Sequence, residues 1–195
     1  MNYLAHFHLA GDQPAMLQGA LLGDFVKGPL RGQFGARVEQ GIALHRKIDA
    51  FSNDAQEVKR ASEALSPALR RYAGIVTDVV FDYFLSHHWS RFHSQELPGF
   101  AQSVYRAITP AMDSWPVSAQ RFSRRMIEHD LLCQYGHWAT VERVLGSIGM
   151  RLSHDNPLSS AAATVRPRLQ QLELDFFEFY PKLQAYTCGL AGDLA

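Results

Sequence analysis

Two stretches of the sequence place ionisable residues four positions apart among apolar neighbours. His45 and Asp49 lie in ARVEQGIALHRKIDAFS, and Asp78 and Asp82 lie in IVTDVVFDYFL. In a helix, residues four apart are about 40° apart around the axis, so each pair shares a face. Neighbouring carboxylates repel each other and lose hydration when buried, and a divalent cation removes both effects. The spacing therefore predicts a metal site. The alternative is that Asp78 or Asp82 meets an arginine or a helix N-terminus.

The nine histidines are the unusual feature of the composition. Counted at about 100° per residue from Asp78, a continuous helix puts His88 at the flank of the acidic face and turns His87 away from it. His88 is therefore a candidate ligand or proton donor. If His6 and His8 lie in a helix they point about 200° apart, so at most one of them can join a site, whereas in an extended segment both could. A structural role in the core is the alternative for either histidine.

Asp24, in LLGDFVKG, is a further carboxylate in an apolar stretch, and a helix cap or a salt bridge is its alternative role. Cations lie close in sequence to these groups: Arg46 and Lys47 directly follow the histidine of the first pair, and Lys27 and Arg31 follow Asp24. Side chains of this kind recognise phosphate. Further arginines either line solvated helix faces or contact an acidic protein; they are Arg70, Arg71, Arg121, Arg124 and Arg125.

Apolar residues recur at helical spacing through almost the whole chain, and two-residue alternation is scarce. Ser-Pro and Asn-Pro dipeptides provide the N-cap and first-turn pattern of two long helices, and Pro167 should kink or break the second of them. The predicted helices cover 36–52, 66 to about 93, 100–110, 116–134, 139–150 and 157 to about 180. We expect one all-α domain of about seven helices over residues 1–195.

The composition excludes several classes of protein. A hydrophobic share of 47% and a charged share of 19% are typical of globular proteins. The zero net charge, from 19 cations and 19 acids, argues against a generic nucleic-acid binder. No apolar run approaches the ~20 residues that cross a bilayer, and the first ten residues lack a basic leader. Two cysteines are too few for a disulfide framework and favour a reducing compartment, so we expect a cytoplasmic protein without a membrane or nucleic-acid partner.

Four ordered motifs make the sequence similar to the bacterial acyl carrier protein phosphodiesterases, also called acyl carrier protein hydrolyases. The motifs are MNYLAHFHLA, GDFVKG, GIALHRKID and DVVFDYFLSHHW, which cover residues 1 to about 90. Beyond them the resemblance rests on Gly149–Met150, Arg166–Leu169 and Phe179–Pro181. This family is described as an unorthodox branch of the HD phosphohydrolases, which are all-α enzymes that use a divalent metal, usually manganese. The resemblance therefore implies an HD-phosphohydrolase-like fold.

The resemblance also implies functional roles at the positions that match the motifs. These positions are His6, His8, Asp24, His45, Arg46, Asp49, Asp78, Asp82, His88 and Trp89. Within SHHW the histidine that the family usually has matches His88, which agrees with the predicted position of His88 at the flank of the acidic face. The family commonly has a histidine after the second acid of this helix, where the present chain has Tyr83.

The implied reaction is hydrolysis of the phosphodiester that joins 4′-phosphopantetheine to a serine of holo-acyl carrier protein, an acidic protein substrate. The oxygen- and nitrogen-rich donor set favours Mn²⁺, or else Mg²⁺ or another divalent ion, held by residues among His6, Asp24, His45, Asp49, Asp78 and Asp82. Arg46 and Lys47 would neutralise the phosphate, His88 would protonate the departing serine oxygen, and His8 is a further catalytic candidate. Two alternatives remain: a related phosphohydrolase for another phosphodiester or nucleotide, and a non-catalytic helical protein that binds the carrier.

Overall fold

The helical spacing of apolar residues is realised throughout the part of the chain that the structure describes. The computed structural model describes the backbone of residues 1–193 and the side chains of residues 1–190. Over this range it contains ten α-helices of seven or more residues, one four-residue helix and no strand. The helices are α1 (Tyr3–Leu9), α2 (Pro14–Leu22), α3 (Ala36–Asp54), α4 (Gln56–Glu63), α5 (Ala73–His87), α6 (Leu97–Ile108), α7 (Val117–Glu128), α8 (Leu131–Gln134), α9 (Trp138–Arg151), α10 (Leu158–Val165) and α11 (Leu169–Asp193). The all-α prediction is confirmed, whereas the predicted number of about seven helices was too low.

The predicted helix over 66–93 contains a single α-helix, α5. A 3₁₀ turn at Arg70–Tyr72 precedes α5, and another at Trp89–Arg91 follows it. Trp89 is buried, and its indole Nε1 donates a hydrogen bond to the carbonyl oxygen of Gln95 at 2.7 Å. The chain leaves the helix here because the turn buries the indole ring and satisfies its donor.

The predicted helix over 116–134 is divided into α7 and α8. Asp130, which lies between them, has a φ of 45°, a value that a regular right-handed helix does not accommodate. Its carboxylate accepts a hydrogen bond from the Tyr105 hydroxyl at 2.9 Å, and this hydroxyl accepts one from the Leu132 N–H at 3.1 Å. These two bonds from α6 stabilise the break.

The break predicted at Pro167 is confirmed. A 3₁₀ turn at Arg166–Arg168 separates α10 from α11, and α11 continues past the predicted end near Tyr180, with Pro181 inside it. Helices α2 and α4 were not predicted. For the first residues a helix and an extended segment were both considered, and the structure has a helix there, α1. Among residues 1–193 no helix is long and apolar enough to cross a lipid bilayer.

Helix α5 lies at the centre of the protein, in contact with α1, α4, α9 and α11. It is apolar on all sides, which is typical of a helix surrounded by others. Its buried residues include Val76, Val79, Val80, Phe81, Phe84 and Leu85. Because α1 contacts both α2 and α5, the first residues of the chain are held between the helix that precedes Asp24 and the helix that carries Asp78 and Asp82.

Helices α2 and α3 cross so closely that glycine is required on both. A Cβ atom at Gly19 would lie 2.2 Å from the carbonyl oxygen of Val38, and one at Gly41 would lie 2.6 Å from that of Met16. Only a residue without a Cβ atom permits this approach. The crossing brings the end of α2 alongside His45 of α3.

Candidate metal centre

Three of the predicted ligands, His6, His45 and Asp49, meet between α1 and α3. Among the described residues they form the one group of at least three His, Cys, Asp or Glu side chains whose ligand atoms all lie within 4.8 Å of one another. His6 Nε2 lies 3.1 Å from Asp49 Oδ1, and His45 Nε2 lies 3.3 Å from Asp49 Oδ2. The two imidazole rings stack with their centroids 3.7 Å apart. Two nitrogens and a carboxylate therefore converge on one small volume.

The ring of His45 is oriented by a hydrogen bond on the side away from this cluster. Its Nδ1 donates to the carbonyl oxygen of Ala20 at 2.7 Å, so the neutral tautomer has its lone pair on Nε2, facing Asp49. Outer hydrogen bonds of this kind commonly fix the tautomer of a metal-binding histidine. Gly23 provides space for the ring, since a Cβ atom there would lie 2.2 Å from His45 Cγ.

Asp24 lies at the edge of the cluster, where the chain leaves α2. Its Oδ1 is 3.7 Å from His45 Nε2, and its side chain is 47% exposed, whereas that of His45 is 3% exposed. Burial raises the pKa of Asp24, but the nearby His45 and Tyr3 side chains prevail and lower it to about 2. Asp24 and the half-exposed Asp49 therefore connect the buried imidazoles with solvent as two ionised carboxylates.

The two histidines titrate in opposite directions. Burial, together with the neighbouring His45, lowers the pKa of His6 from 6.5 to about 4. Burial also acts against the cationic form of His45, but Asp24 and Asp49 outweigh it and raise the pKa of His45 to about 9. The pKa of Asp49 is held well below its usual range, against the effect of burial, by both histidines. Without a metal, the cluster therefore holds one neutral and one protonated histidine at neutral pH.

The donor set of the cluster fits a divalent cation. His6 Nε2 has two acceptors, the Met1 carbonyl oxygen and Asp49 Oδ1, each at 3.1 Å. The buried Nδ1 of His6 has no hydrogen-bond partner within the described part of the chain. Because Nε2 faces two acceptors, it carries the proton of the neutral ring, and binding of a cation at Nε2 would require that proton to move to Nδ1. Imidazole nitrogens combined with carboxylate oxygens suit Mn²⁺ and similar ions.

The second predicted pair, on α5, contacts the start of the chain. Asp82 is fully buried, and its carboxylate accepts backbone N–H bonds from Leu4 at 2.7 Å and Asn2 at 3.2 Å, at the N-terminus of α1. Asp78 accepts a hydrogen bond from the Met1 ammonium group at 2.6 Å. Burial raises the pKa of Asp82 to about 7 and that of Asp78 above its usual value. Asp82 therefore contacts a helix N-terminus, which was the alternative to metal binding for this pair.

His8 and His88 have partners outside the cluster. His8 Nε2 donates to the Phe92 carbonyl oxygen at 3.1 Å, so its Nδ1 accepts from the Tyr180 hydroxyl at 2.6 Å. Burial lowers the pKa of His8 to about 4, which keeps the ring neutral. His88 Nε2 lies 2.6 Å from Glu173 Oε1. Both histidines therefore connect to α11, and only His6 of the first two histidines joins the cluster, as the helical spacing predicts.

Arg46 lies next to the cluster and holds the loop that follows Asp24. Its Nη1 donates to the Gly28 carbonyl oxygen at 2.9 Å, and its Nη2 donates to that of Val26 at 2.8 Å. Lys47, the next residue, is exposed. The guanidinium group is therefore fixed to the loop that follows Asp24, whereas Lys47 is exposed to solvent.

One wall of the site was not predicted from the sequence. The ring of Tyr3 stacks on Phe122 of α7 with centroids 4.4 Å apart, and Phe25 lies 5.7 Å from the same ring. Helix α7 therefore packs beside Asp24, a contact between segments about a hundred residues apart that no local pattern indicates. The only sequence feature that pointed to this wall of the site was the position of Tyr3 within the motif MNYLAHFHLA.

The fold and the cluster define a class of protein, an all-α protein with a His- and Asp-based candidate metal centre between its helices. The family model described as acyl carrier protein phosphodiesterase matches residues 1–183. The chain therefore belongs to the acyl carrier protein phosphodiesterase family. Family membership confirms the resemblance and the prediction of an enzyme that hydrolyses phosphodiesters. The relation to the HD phosphohydrolases stays a prediction.

Several curated relatives carry the same name over nearly their whole length. The acyl carrier protein phosphodiesterase of Serratia proteamaculans (strain 568) is 34% identical over 184 residues, which are 94% of this chain and 95% of the relative. That of Klebsiella pneumoniae subsp. pneumoniae is 34% identical over 185 residues, with the same coverage of both chains. That of Enterobacter sp. (strain 638) is 32% identical over 184 residues, again covering 94% and 95%. No solved structure is significantly similar to the chain.

Proposed function

We propose that the protein is a metal-dependent phosphodiesterase that releases 4′-phosphopantetheine from the serine of holo-acyl carrier protein and leaves the apo-carrier protein. The convergence of His6, His45 and Asp49 in one cluster supports a metal centre. The family name supports acyl carrier protein as the substrate partner. The half-exposed carboxylates of Asp24 and Asp49 support access of a protein-bound phosphodiester to the cluster from solvent.

We assign the metal to His6, His45 and Asp49, with Asp24 as a further ligand from the loop. Mn²⁺ is the expected ion and Mg²⁺ the second choice, because the donors are nitrogen and oxygen only. When bound, such a cation supplies Lewis-acid polarisation of the phosphoryl group and activates water as a nucleophile. His45 must give up its proton for this, whereas His6 is already neutral at pH 7.

Asp78 and Asp82 act, in this proposal, as positioning residues. Asp82 accepts the N–H of Leu4, two residues before His6 on α1. Its carboxylate therefore fixes the first turn of the helix that carries one ligand. Asp78 holds the Met1 ammonium group, whose residue also supplies the carbonyl oxygen beside His6 Nε2. Loss of either acid would displace His6 without removing a ligand.

Arg46 is proposed to bind the substrate phosphate. Two of the five N–H groups of a guanidinium are used at Val26 and Gly28, which leaves the others for phosphoryl oxygens. Preorganised donors of this kind stabilise negative charge as it develops in the transition state. Lys47 adds an exposed positive charge that attracts the diester.

His88 stays the proposed proton donor to the departing serine oxygen, with Glu173 as its partner. A substitution of His88 by Gln tests this role, because a lost general acid lowers turnover and leaves metal binding intact. For His8 we propose a structural role, since both ring nitrogens are already engaged, by Phe92 and Tyr180.

We also propose that the protein acts in the cytoplasm. Both cysteines, Cys133 and Cys188, are unpaired in the structure. Unpaired cysteines of this kind are usual in a reducing compartment. Fractionation of the producing cells, followed by detection of the native protein, tests this location.

The direct test is incubation of the purified protein with holo-acyl carrier protein and Mn²⁺, followed by mass spectrometry of the carrier. The proposal predicts loss of the phosphopantetheine mass, prevented by a chelator and by Asp49→Asn. A panel of nucleotides and simple phosphodiesters, run in parallel, tests for a different substrate. No loss of the prosthetic group with Mn²⁺, Mg²⁺ or any other common divalent ion would contradict the proposal.

A further inference from the structure

Helix α7 joins the metal centre to the protein surface. One side of the helix is buried in the core through Ala119, Ser123 and Met126. At the border of that side, Phe122 contacts Tyr3 and Phe25, the two aromatic rings that flank Asp24. A partner bound to the outer side of α7 would therefore sit beside the opening of the centre.

The outer side of α7 carries a stripe of three exposed residues, Val117, Arg121 and Arg125. They follow one another at intervals of four, so they share a face about 12 Å long. Val117 is 70% exposed, one of few large apolar side chains so exposed among the described residues. Neither Arg121 nor Arg125 has an ion-pair partner in the described part of the chain. An exposed apolar side chain next to unpaired cations is typical of a surface that meets a partner.

Acidic groups near the stripe do not cancel its charge. Asp113 pairs with Arg124 at 3.0 Å, on the adjacent row of the helix. Glu128 lies one turn after Arg124 at the end of α7. Helix α7 therefore has three arginines and a single acid, and neither Arg121 nor Arg125 forms an ion pair within the described residues.

The loop after Asp24 adds two further exposed cations, Lys27 and Arg31. Arg46 holds this loop at Val26 and Gly28, so the two cations flank a fixed segment of backbone. The loop contacts α7 through Phe25 and Phe122, so its two cations belong to a segment that packs against the helix that carries Arg121 and Arg125.

We propose that Lys27, Arg31, Arg121 and Arg125, here called the basic rim, form the docking surface for an acidic helical face of the carrier protein, with Val117 as an apolar contact. The inference rests on the proposed function, because the carrier delivers the diester to the centre. Charge complementarity supports the inference, because a rim of unpaired cations beside a centre of ionised carboxylates attracts an acidic protein and positions its anionic diester.

The test compares two double variants that remove equal charge. Arg121→Ala/Arg125→Ala changes the basic rim, and Arg166→Ala/Arg168→Ala changes two exposed arginines at the turn between α10 and α11. We expect the rim variant to raise the KM for holo-carrier protein roughly tenfold with kcat nearly unchanged, because exposed pairs contribute modestly and additively. The second variant should match the wild type. Hydrolysis of bis(p-nitrophenyl) phosphate, which needs no docking, should be unchanged in both.

Two results would overturn the basic rim as the docking surface. One is an unchanged KM for the carrier in the rim variant. The other is an equal loss with the small diester, which would place the damage in the centre itself. A binding measurement tests docking independently of the proposed function. In fluorescence anisotropy, apo-carrier protein should bind the wild type about tenfold more tightly than the rim variant. If the wild type releases no phosphopantetheine, this difference still supports docking, and equal or absent binding overturns it.

Discussion

Binding of Mn²⁺ to the cluster should release one proton near neutral pH, and that proton should come from His45. The pKa of His45 is raised to about 9 because Asp24 and Asp49 face its Nε2, and that of His6 is lowered to about 4 by burial. At pH 7 His45 is therefore protonated, and His6 is neutral. A metal ion binds only the unprotonated imidazole, so one of the two histidines must lose a proton.

The size of this effect follows from the two pKa values. Between about pH 6 and pH 8 the apparent association constant should rise roughly tenfold per pH unit, and it should level off near the pKa of His45. At pH 7, two units below that pKa, removal of the proton costs about 3 kcal/mol. Because His45 is still half protonated at pH 9, metal binding should be roughly fifty-fold stronger at pH 9 than at pH 7, which corresponds to about 2 kcal/mol.

Calorimetric titration of metal-free protein with MnCl₂ measures the proton directly, in buffers of different ionisation enthalpy at pH 7. The slope of the observed enthalpy against the buffer enthalpy should correspond to one proton per metal ion. His6→Gln should retain this release, and His45→Gln should abolish it. A release of two protons, or of none, in the wild type would refute the assignment of charge within the cluster.

Two further predictions concern residues that position the ligands. Gly23→Ala should weaken Mn²⁺ binding at least roughly tenfold, because the new Cβ atom would lie 2.2 Å from the ring of His45. The matched control is Gly74→Ala, because no atom lies within 4 Å of a Cβ atom at that position. Competition with a fluorescent chelator measures the Mn²⁺ affinity of both variants. Asp82→Ala should lower the free energy of unfolding by about 2–3 kcal/mol in urea titrations, because the buried N–H of Leu4 loses its acceptor; an unchanged midpoint would exclude the positioning role.

The sequence predicted the parts of the fold that depend on neighbouring residues. Residues 36–52 form most of α3, and Pro167 interrupts the last long segment, because periodic burial and a missing N–H act locally. His45 and Asp49 share a face for the same reason, and their side chains do meet. Local spacing was sufficient for this half of the cluster.

The other half depends on contacts between distant segments. His6 joins the cluster because α1 packs against α2 and α5, and nothing within its first ten residues encodes that contact. A spacing of four also fails to distinguish an acid pair that holds metal from one that holds backbone donors, as Asp82 does with Leu4. The angle assigned to His88 assumed a continuous helix, but burial of Trp89 ends α5 just before it.

The central claim is that His6 and His45 bind one metal ion together with Asp49. Pulsed electron paramagnetic resonance of the Mn²⁺-loaded protein tests it most directly, because coupling to ¹⁴N counts the coordinating imidazoles. The wild type should show coupling to two histidine nitrogens, and His6→Gln and His45→Gln should each show one. A spectrum without nitrogen coupling, or one that neither substitution changes, would contradict the assignment of the metal to this cluster.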